Sequence, residues 1–153
     1  MTAPDYIVTG GAGFIGSHLV EALLLRNETV AVIDDLSTGS MANLAAVRAH
    51  PNLQIIVSTV SSCPDWDRVV PGARGIFHLA AAVGVELVVK SPIRTIETNL
   101  RETAAILEVA SKYRVPLLLT STSEVYGKSQ KPAFKEVDDL VIGPPTLGRW
   151  SYA

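Results

Sequence analysis

Short continuous apolar runs alternate along this chain with longer stretches of helical period, the pattern of strand–helix–strand units around a parallel sheet. Tyr6-Ile7-Val8 opens the series as a strand. After Thr9-Gly10-Gly11-Ala12-Gly13, the residues Ile15, Leu19, Ala22 and Leu23 recur on one face of a helix of about 13 residues that ends near Asn27. Thr29 to Ile33 is apolar throughout, as a strand covered on both faces is, and it ends at Asp34-Asp35. Ser40 to His50 reads as a short helix closed by Pro51, and Leu53 to Val57 as a third strand. Asp65 to Val70 is a further short helix, with Pro64 fitting its first turn and Pro71-Gly72 ending it. Gly75 to Leu79 supplies strand four. Ser91-Pro92 opens a long helix with Ile93, Ile96, Leu100, Leu107 and Ala110 on one apolar stripe, and Val115 to Thr120 is strand five. From Gly127 to Gly148 the chain is polar and proline-rich, a loop of functional length. Five strands and four helices with one core and no linker or repeat predict a single α/β domain, a doubly wound parallel sheet in three layers.

Composition agrees with a domain of this kind. The 153 residues are 48% apolar, enough to bury a sizeable core. Thirteen basic against fifteen acidic residues give a net charge of −2, so no broad basic field invites nucleic acid or an anionic membrane surface. No apolar run approaches the roughly 20 residues of a spanning helix, and Met1-Thr2-Ala3-Pro4-Asp5 does not open a secretory signal. Cys63 is the only cysteine, which excludes an intrachain disulfide or a cysteine-based metal cluster and suits a reducing cytoplasm. His18, His50 and His78 have no metal-ligand spacing, and no metal is expected. His18 reads as a packing or partly exposed residue, and Cys63 as a small residue ahead of a helix start. Trp66 and Trp150 read as core or loop anchors.

The first strand–helix junction carries chemistry. Gly10, Gly11, Gly13 and Gly16, with Ala12, Phe14 and Ile15 between them, satisfy both G-x-G-x-x-G and G-x-x-G-x-x-G. Between a strand and a helix, such glycines allow a tight turn and a close approach of backbone to a pyrophosphate, whose charge the helix start attracts. Asp34 follows eighteen residues after Gly16 at the end of strand two, where a carboxylate accepts hydrogen bonds from ribose hydroxyls. Its charge repels a 2′-phosphate, and no Arg or Lys lies between Ile33 and Met41, so NAD is favoured over NADP. Asp35 either shares this work or is a solvated turn residue. Thr38 and Gly39 would lie near the adenosine.

These residues resemble the extended short-chain dehydrogenase/reductases, and within them the NAD-dependent nucleotide-sugar epimerases, dehydratases and decarboxylases. The resemblance runs through Thr9 to Leu19 (TGGAGFIGSHL), Ile33 to Gly39 (IDDLSTG), His78-Leu79-Ala80-Ala81, Thr98-Asn99 and Thr120 to Gly127 (TSTSEVYG), in order along the chain. It implies a Rossmann-type fold in which Leu79, Ala80 and Ala81 contact the nicotinamide half of the cofactor, although the same residues also suit a buried strand end. It implies that Asn99 bonds backbone around the catalytic strand; read by itself, that asparagine is as readily an exposed helix residue. Where the family usually places Gly-Asp at the end of strand three, with the Asp on the adenine amino group, this chain has Ser58-Thr59-Val60. Any adenine contact then falls to the Thr59 hydroxyl or to backbone.

The resemblance also implies a reaction in which a tyrosinate takes a sugar hydroxyl proton while hydride passes to the nicotinamide. Tyr152 resembles that tyrosine, and its lysine partner would stand three residues beyond Ala153, so the 153 residues are expected to be the N-terminal, NAD-binding part of a longer enzyme, without the last strands and the substrate lobe. Such a chain would bind NAD without efficient turnover and would expose apolar surface on strand five and the long helix. Thr122 resembles the hydroxyl residue beside the tyrosine, its bland alternative being a strand-end Thr satisfied by backbone. Ser123-Glu124 matches the Thr-Ser-Glu of decarboxylases acting on nucleotide-linked uronic acids and departs from the Thr-Asp-Glu of dehydratases; 4-epimerases need no carboxylate there. A UDP-sugar 4-epimerase or UDP-glucuronate decarboxylase is therefore the expected activity, with dehydration third, and a non-catalytic NAD-sensing module as the reading from another class. A homodimer through the helix bearing Ile96, Leu100 and Leu107 is implied for the full-length form.

Overall fold

A computed structural model describes residues 3–82, 90–141 and 143. Strands β1 (Tyr6–Thr9), β2 (Val30–Asp34), β3 (Leu53–Val57), β4 (Gly75–His78) and β5 (Leu117–Leu119) form one sheet in the order β3-β2-β1-β4-β5, every neighbouring pair parallel. Helices α1 (Phe14–Leu25), α2 (Trp66–Val69) and α3 (Pro92–Tyr113) link them, with 3₁₀ turns at Met41–Leu44 and Ser123–Tyr126. The described residues fall into two compact units, one drawn from 1–81 with 100–119 and containing the sheet, the other from 82–99 with 120–153.

Alternation along the strands divides the interior into two clusters instead of the single core expected. Ile7, Ala31, Ile33, Ile56 and Ile76 face one way and pack with Val69 of α2 and with Ile106 and Ala110 of α3. Val8, Val30 and Val32 face the other way and pack with Val20, Leu23 and Leu24 of α1 and with Leu44. This is the two-sided burial that makes β2 apolar at each position up to Asp34.

Several elements depart from the sequence pattern for identifiable reasons. The inward face of α1 is Gly16, Ser17, Val20, Leu23 and Leu24, while Ile15 and Ala22 are exposed. Glycine packing at the start of the helix sets this rotation: a Cβ on Gly16 would lie 2.1 Å from the Gly10 carbonyl oxygen. Asn27, at φ 61°, closes the helix in the left-handed region as expected of its C-terminal end. Ser40 to His50 yields one 3₁₀ turn followed by i→i+3 turns, because Ser40 and Asn43 are both drawn onto the Ala12 carbonyl. α2 begins only at Trp66, with Asp65 before it, so Pro64 lies outside the first turn.

Of the stripe expected on α3, four members face outward and Ala110 is buried in the core. Leu100 is 67% and Leu107 50% exposed, and Ile93 and Ile96 are exposed as well, whereas the buried positions are Thr95, Glu102, Ile106 and Ala110. Exposed apolar surface on this helix and on β5 was expected; that two of the four buried positions, Thr95 and Glu102, are polar was not. Leu118 and Leu119 on β5 are also exposed. In the second unit, Tyr126 stacks on Phe134 with ring centroids 4.7 Å apart, and a single parallel bridge joins Gly127 to Val141.

Candidate functional site

Crossovers from β1 to β2 and from β2 to β3 pack on the Val8 side of the sheet, and those from β3 to β4 and β4 to β5 on the Ile7 side. The chain therefore changes face between β1 and β4, and such a switch point opens a crevice at the carboxyl ends of the two strands. Thr9 and His78 are partners in register there, with the Thr9 hydroxyl 2.7 Å from His78 Nδ1. Burial holds His78 below its ordinary pKa against the opposing pull of Glu102, so the ring is neutral at pH 7. The Leu79 N–H donates to the Thr9 carbonyl at 3.0 Å and the Ala80 N–H to the Thr9 hydroxyl at 3.4 Å. Gly10 follows at φ 71°, and a Cβ on it would meet Ala80 N at 2.7 Å. Only glycine satisfies both the conformation and the contact. Leu79 and Ala80 are half-buried and Ala81 exposed.

The glycine turn is held by its Ala12 peptide. Asp34, 7% exposed, accepts the Ala12 N–H on Oδ2 at 2.9 Å and the Leu36 N–H on Oδ1 at 2.8 Å. The Ala12 carbonyl accepts from Ser40 N–H at 3.0 Å and from Asn43 Nδ2 at 2.8 Å. Asn43 escaped the sequence reading, since an asparagine in a predicted helix gives no sign that its amide braces a turn thirty-one positions away. Asp35 is exposed and accepts the Ser37 N–H, the geometry of a solvated turn residue. Thr38 is exposed, and Gly39 lies against Ala12 and Asp34.

α1 begins at this turn with Gly13 as its N-cap. Among the described residues no side chain caps it and its first turn holds no acidic residue, so its leading N–H groups and positive end remain open to an anion. A Cβ on Gly13 would meet only the Gly10 oxygen, at 3.2 Å, which leaves room above the turn for a ligand, and Phe14 and Ile15 stand exposed beside it. Each Asp34 oxygen retains a lone pair beyond its backbone bond. An open glycine cradle, an uncapped helix start and a carboxylate at the end of the next strand fit a dinucleotide.

At the end of β3, the Ser58 N–H donates to the Asp34 carbonyl at 3.1 Å. Thr59 Oγ1 accepts the Ser62 N–H at 3.1 Å and lies 3.4 Å from Ser61 Oγ. Val60 is a core residue, 2% exposed, whose carbonyl accepts from Trp66 Nε1; only its backbone is left for a ligand. Glu102 was not foreseen: it is 7% exposed and takes both the N–H and the hydroxyl of Ser61, at 2.8 and 2.7 Å. Burial alone would raise its pKa, but the Ser61 groups and Arg101 outweigh that and hold the carboxyl below its ordinary range. Burial pushes the Cys63 thiol up, as suits an inert packing residue.

In the second unit, Asn99 Oδ1 accepts the Ala82 N–H at 2.7 Å and Nδ2 donates to the Ala82 carbonyl at 3.3 Å. The amide thus bonds both backbone groups of one residue following β4. Thr122 Oγ1 accepts the Glu124 N–H at 3.2 Å as N-cap of its 3₁₀ turn; Ser123 is exposed and Glu124 half-buried. Tyr152 and Trp150 lie outside the described residues. Among those described, no helix is long and apolar enough to cross a membrane, and no group of three or more His, Cys, Asp or Glu is placed to hold a metal ion.

The model of the NAD dependent epimerase/dehydratase family matches residues 6–152. The chain belongs to that family. Among curated relatives of this family member, a UDP-N-acetyl-alpha-D-glucosaminuronate decarboxylase of Bacillus cytotoxicus is 39% identical over 147 residues, 96% of this chain and 45% of the relative. UDP-glucuronic acid decarboxylase 6 of Arabidopsis thaliana is 39% identical over 94% of this chain and 38% of its own. Among solved structures, a dTDP-glucose 4,6-dehydratase double mutant from Streptomyces venezuelae with NAD bound superposes with a TM-score of 0.84 at 32% identity, over 95% of this chain and 48% of that one. A UDP-N-acetylglucosamine 4-epimerase from Methanobrevibacter ruminantium gives 0.83 at 31%, over 99% and 48%. The family member described here spans less than half the length of these relatives.

Proposed function

We propose that residues 1–153 are the NAD-binding Rossmann part of a nucleotide-sugar modifying enzyme whose substrate is a UDP-sugar, with UDP-glucuronate decarboxylation favoured and 4-epimerisation the next reading. The observation that carries it is the brace between Asp34 and Ala12, which joins the ribose-binding carboxylate to the open glycine turn. Gly10, Gly13 and Gly16, with the Phe14 and Ile15 N–H groups, hold the pyrophosphate. Asp34 takes the adenosine ribose, beside Thr38 and Gly39. Thr59 and Val60 border the adenine, and Leu79, Ala80 and Ala81 the nicotinamide. Asp35 stays in solvent, and Asn99 acts through the Ala82 backbone.

Bound NAD would accept the C4 hydride and, once CO2 has left, would return it to the C4 ketone, so that the released product is a UDP-pentose and the cofactor is regenerated. Tyr152 takes the proton of the sugar C4 hydroxyl while Thr122 hydrogen-bonds the same oxygen. A ketone at C4 places the C6 carboxylate of a uronate in the β position, so the C5–C6 bond can break with its electron pair moving onto the ketone and CO2 leaving. Glu124 then serves as the acid/base or sugar-orienting group. Ser123, in place of a second carboxylate, disfavours loss of water. The names of the curated relatives favour decarboxylation over epimerisation.

The test has two stages. Calorimetric titration should show one NAD per chain, with NADP bound much more weakly. The longest form its gene encodes, supplied with NAD and UDP-glucuronate, should release CO2 and a UDP-pentose. Release of a UDP-hexuronate epimer without CO2 would assign 4-epimerisation. NAD binding with no turnover of any UDP-sugar would assign a sensing module instead.

A further inference from the structure

We infer that Glu102 sets the hydrogen-bonding polarity of Thr59 through Ser61, so that the threonine oxygen presents an acceptor to the adenine amino group. This rests on the NAD-site reading above and specifies its base recognition. The position of the base follows from the sheet. With a pyrophosphate at the end of β1 and a ribose at Asp34 on β2, the base lies beyond the next strand outward, where Ser58 is bonded to Asp34 and Thr59 follows.

The polarity follows from proton counting. The Ser61 N–H is a fixed donor and Glu102 Oε2 accepts it at 2.8 Å. Oε1 accepts the Ser61 hydroxyl proton at 2.7 Å, a short, charge-assisted bond. Ser61 has a single hydroxyl proton, and it is committed to Glu102. The 3.4 Å contact between Thr59 Oγ1 and Ser61 Oγ can therefore run only with Thr59 donating. Thr59 Oγ1 also accepts the Ser62 N–H at 3.1 Å, so one lone pair is used, its proton is used, and one lone pair is left. A lone pair complements the N–H donors of an adenine amino group and opposes the carbonyl oxygen that hypoxanthine carries at the same position. A remote buried carboxylate thus does, through two hydroxyls, what an aspartate at position 59 would do directly.

Glu102→Gln reverses the relay. Arg101 Nε, which also donates to Oε1 at 3.1 Å, belongs to a side chain 60% exposed and can turn to water, whereas the Ser61 N–H cannot move; the amide oxygen therefore stays on the Ser61 N–H and the NH2 faces Ser61 Oγ as a donor. Ser61 then releases its proton to Thr59, and Thr59, accepting from both Ser61 and Ser62, can offer only its own proton outward.

The experiment measures dissociation constants for NAD and for its hypoxanthine analogue, deamino-NAD, by calorimetry on wild type, Glu102→Gln, Ser61→Ala and Thr59→Val. Wild type should prefer NAD by about tenfold, the scale of one matched against one mismatched hydrogen bond. Glu102→Gln should abolish or invert that ratio, and Ser61→Ala and Thr59→Val should bring it near one, which keeps the test open even where the glutamine variant folds poorly. If Glu102→Gln weakens both dinucleotides by the same factor, Glu102 is only a brace and the inference is overturned. If wild type binds neither dinucleotide, the NAD-site reading itself has failed, and the inference falls with it.

Discussion

The Asp34 carboxylate accepts the Ala12 N–H at 2.9 Å across twenty-two positions of sequence, and this bond makes one unit of the glycine turn and the end of β2. The geometry of the turn therefore depends on the same side chain that is proposed to take the ribose. In Asp34→Asn, one amide oxygen can serve either Ala12 or Leu36, and the NH2 group must face the other N–H. A buried donor is left without an acceptor, at a cost of about 1–3 kcal/mol. Urea unfolding should show that loss, and NAD affinity should fall by about tenfold or more. Asp35→Asn, at an exposed Asx turn, should change neither; an equal effect of the two substitutions would remove Asp34 from the site.

Gly16 tests whether the turn needs close backbone packing. An alanine Cβ there would lie 2.1 Å from the Gly10 oxygen and 2.7 Å from Gly11 Cα, both backbone atoms, so α1 itself has to move. Gly16→Ala should destabilise by about 1–3 kcal/mol or more and abolish NAD binding. Gly75→Ala is the matched control: its Cβ would meet the Tyr6 ring at 3.5 Å, an ordinary contact, and NAD binding should persist. Thermal melts with and without NAD distinguish the outcomes.

His78 predicts a pH dependence whose sign is fixed by its environment. Burial depresses its folded-state pKa below the ordinary 6.5, so the unfolded chain binds the proton more readily than the folded one. Stability is then fully present above pH 6.5 and is lost as pH falls from there toward the folded pKa, with a slope of at most about 1.4 kcal/mol per pH unit from this one proton. Glu102 and Asp5, the latter held down by the Thr29 hydroxyl and N–H, add losses of the same sign only at more acid pH. Urea midpoints measured from pH 8 to pH 5 should fall for wild type and flatten for His78→Gln. A flat wild-type profile would mean that the folded protein takes up a proton at His78 without penalty.

The sequence pattern located all five strands, most plainly β2, whose two-sided burial leaves a continuous apolar run, while the half-exposed β3 and β5 were marked by short apolar runs between turn residues. It also placed the glycine turn between β1 and α1 and Asp34 at the end of β2, and it offered a solvated turn residue as one of two readings of Asp35. Faces of helices were less legible. α1 is rotated by glycine contacts that hydrophobicity does not register, and α3 buries Thr95 and Glu102 while exposing Leu100 and Leu107. Asn43 and Glu102 stayed hidden for one physical reason: their partners are N–H, hydroxyl and carbonyl groups of distant turns, and a polar residue in a helix reads as solvated until those turns are placed beside it.

Thr122 carries two readings that chemistry can separate. Its hydroxyl accepts the Glu124 N–H at 3.2 Å, which is the work of an N-cap, and still holds a proton for a substrate oxygen, which is the work of a catalytic hydroxyl. Serine does both, asparagine does only the first, and valine does neither. If the hydroxyl acts on substrate, Thr122→Ser keeps kcat within a few fold while Thr122→Asn and Thr122→Val both lose about 10²-fold or more, the scale of one hydrogen bond strengthened in the transition state. If Thr122 is only a cap, Thr122→Asn retains wild-type kcat and Thr122→Val alone falls. NAD affinity should be equal in all four proteins, because Thr122 is not among the residues proposed to hold the cofactor. Steady-state turnover of UDP-glucuronate by the longest form its gene encodes, with NAD titrations on the same preparations, decides between them, and an active asparagine variant would return Thr122 to a purely structural role.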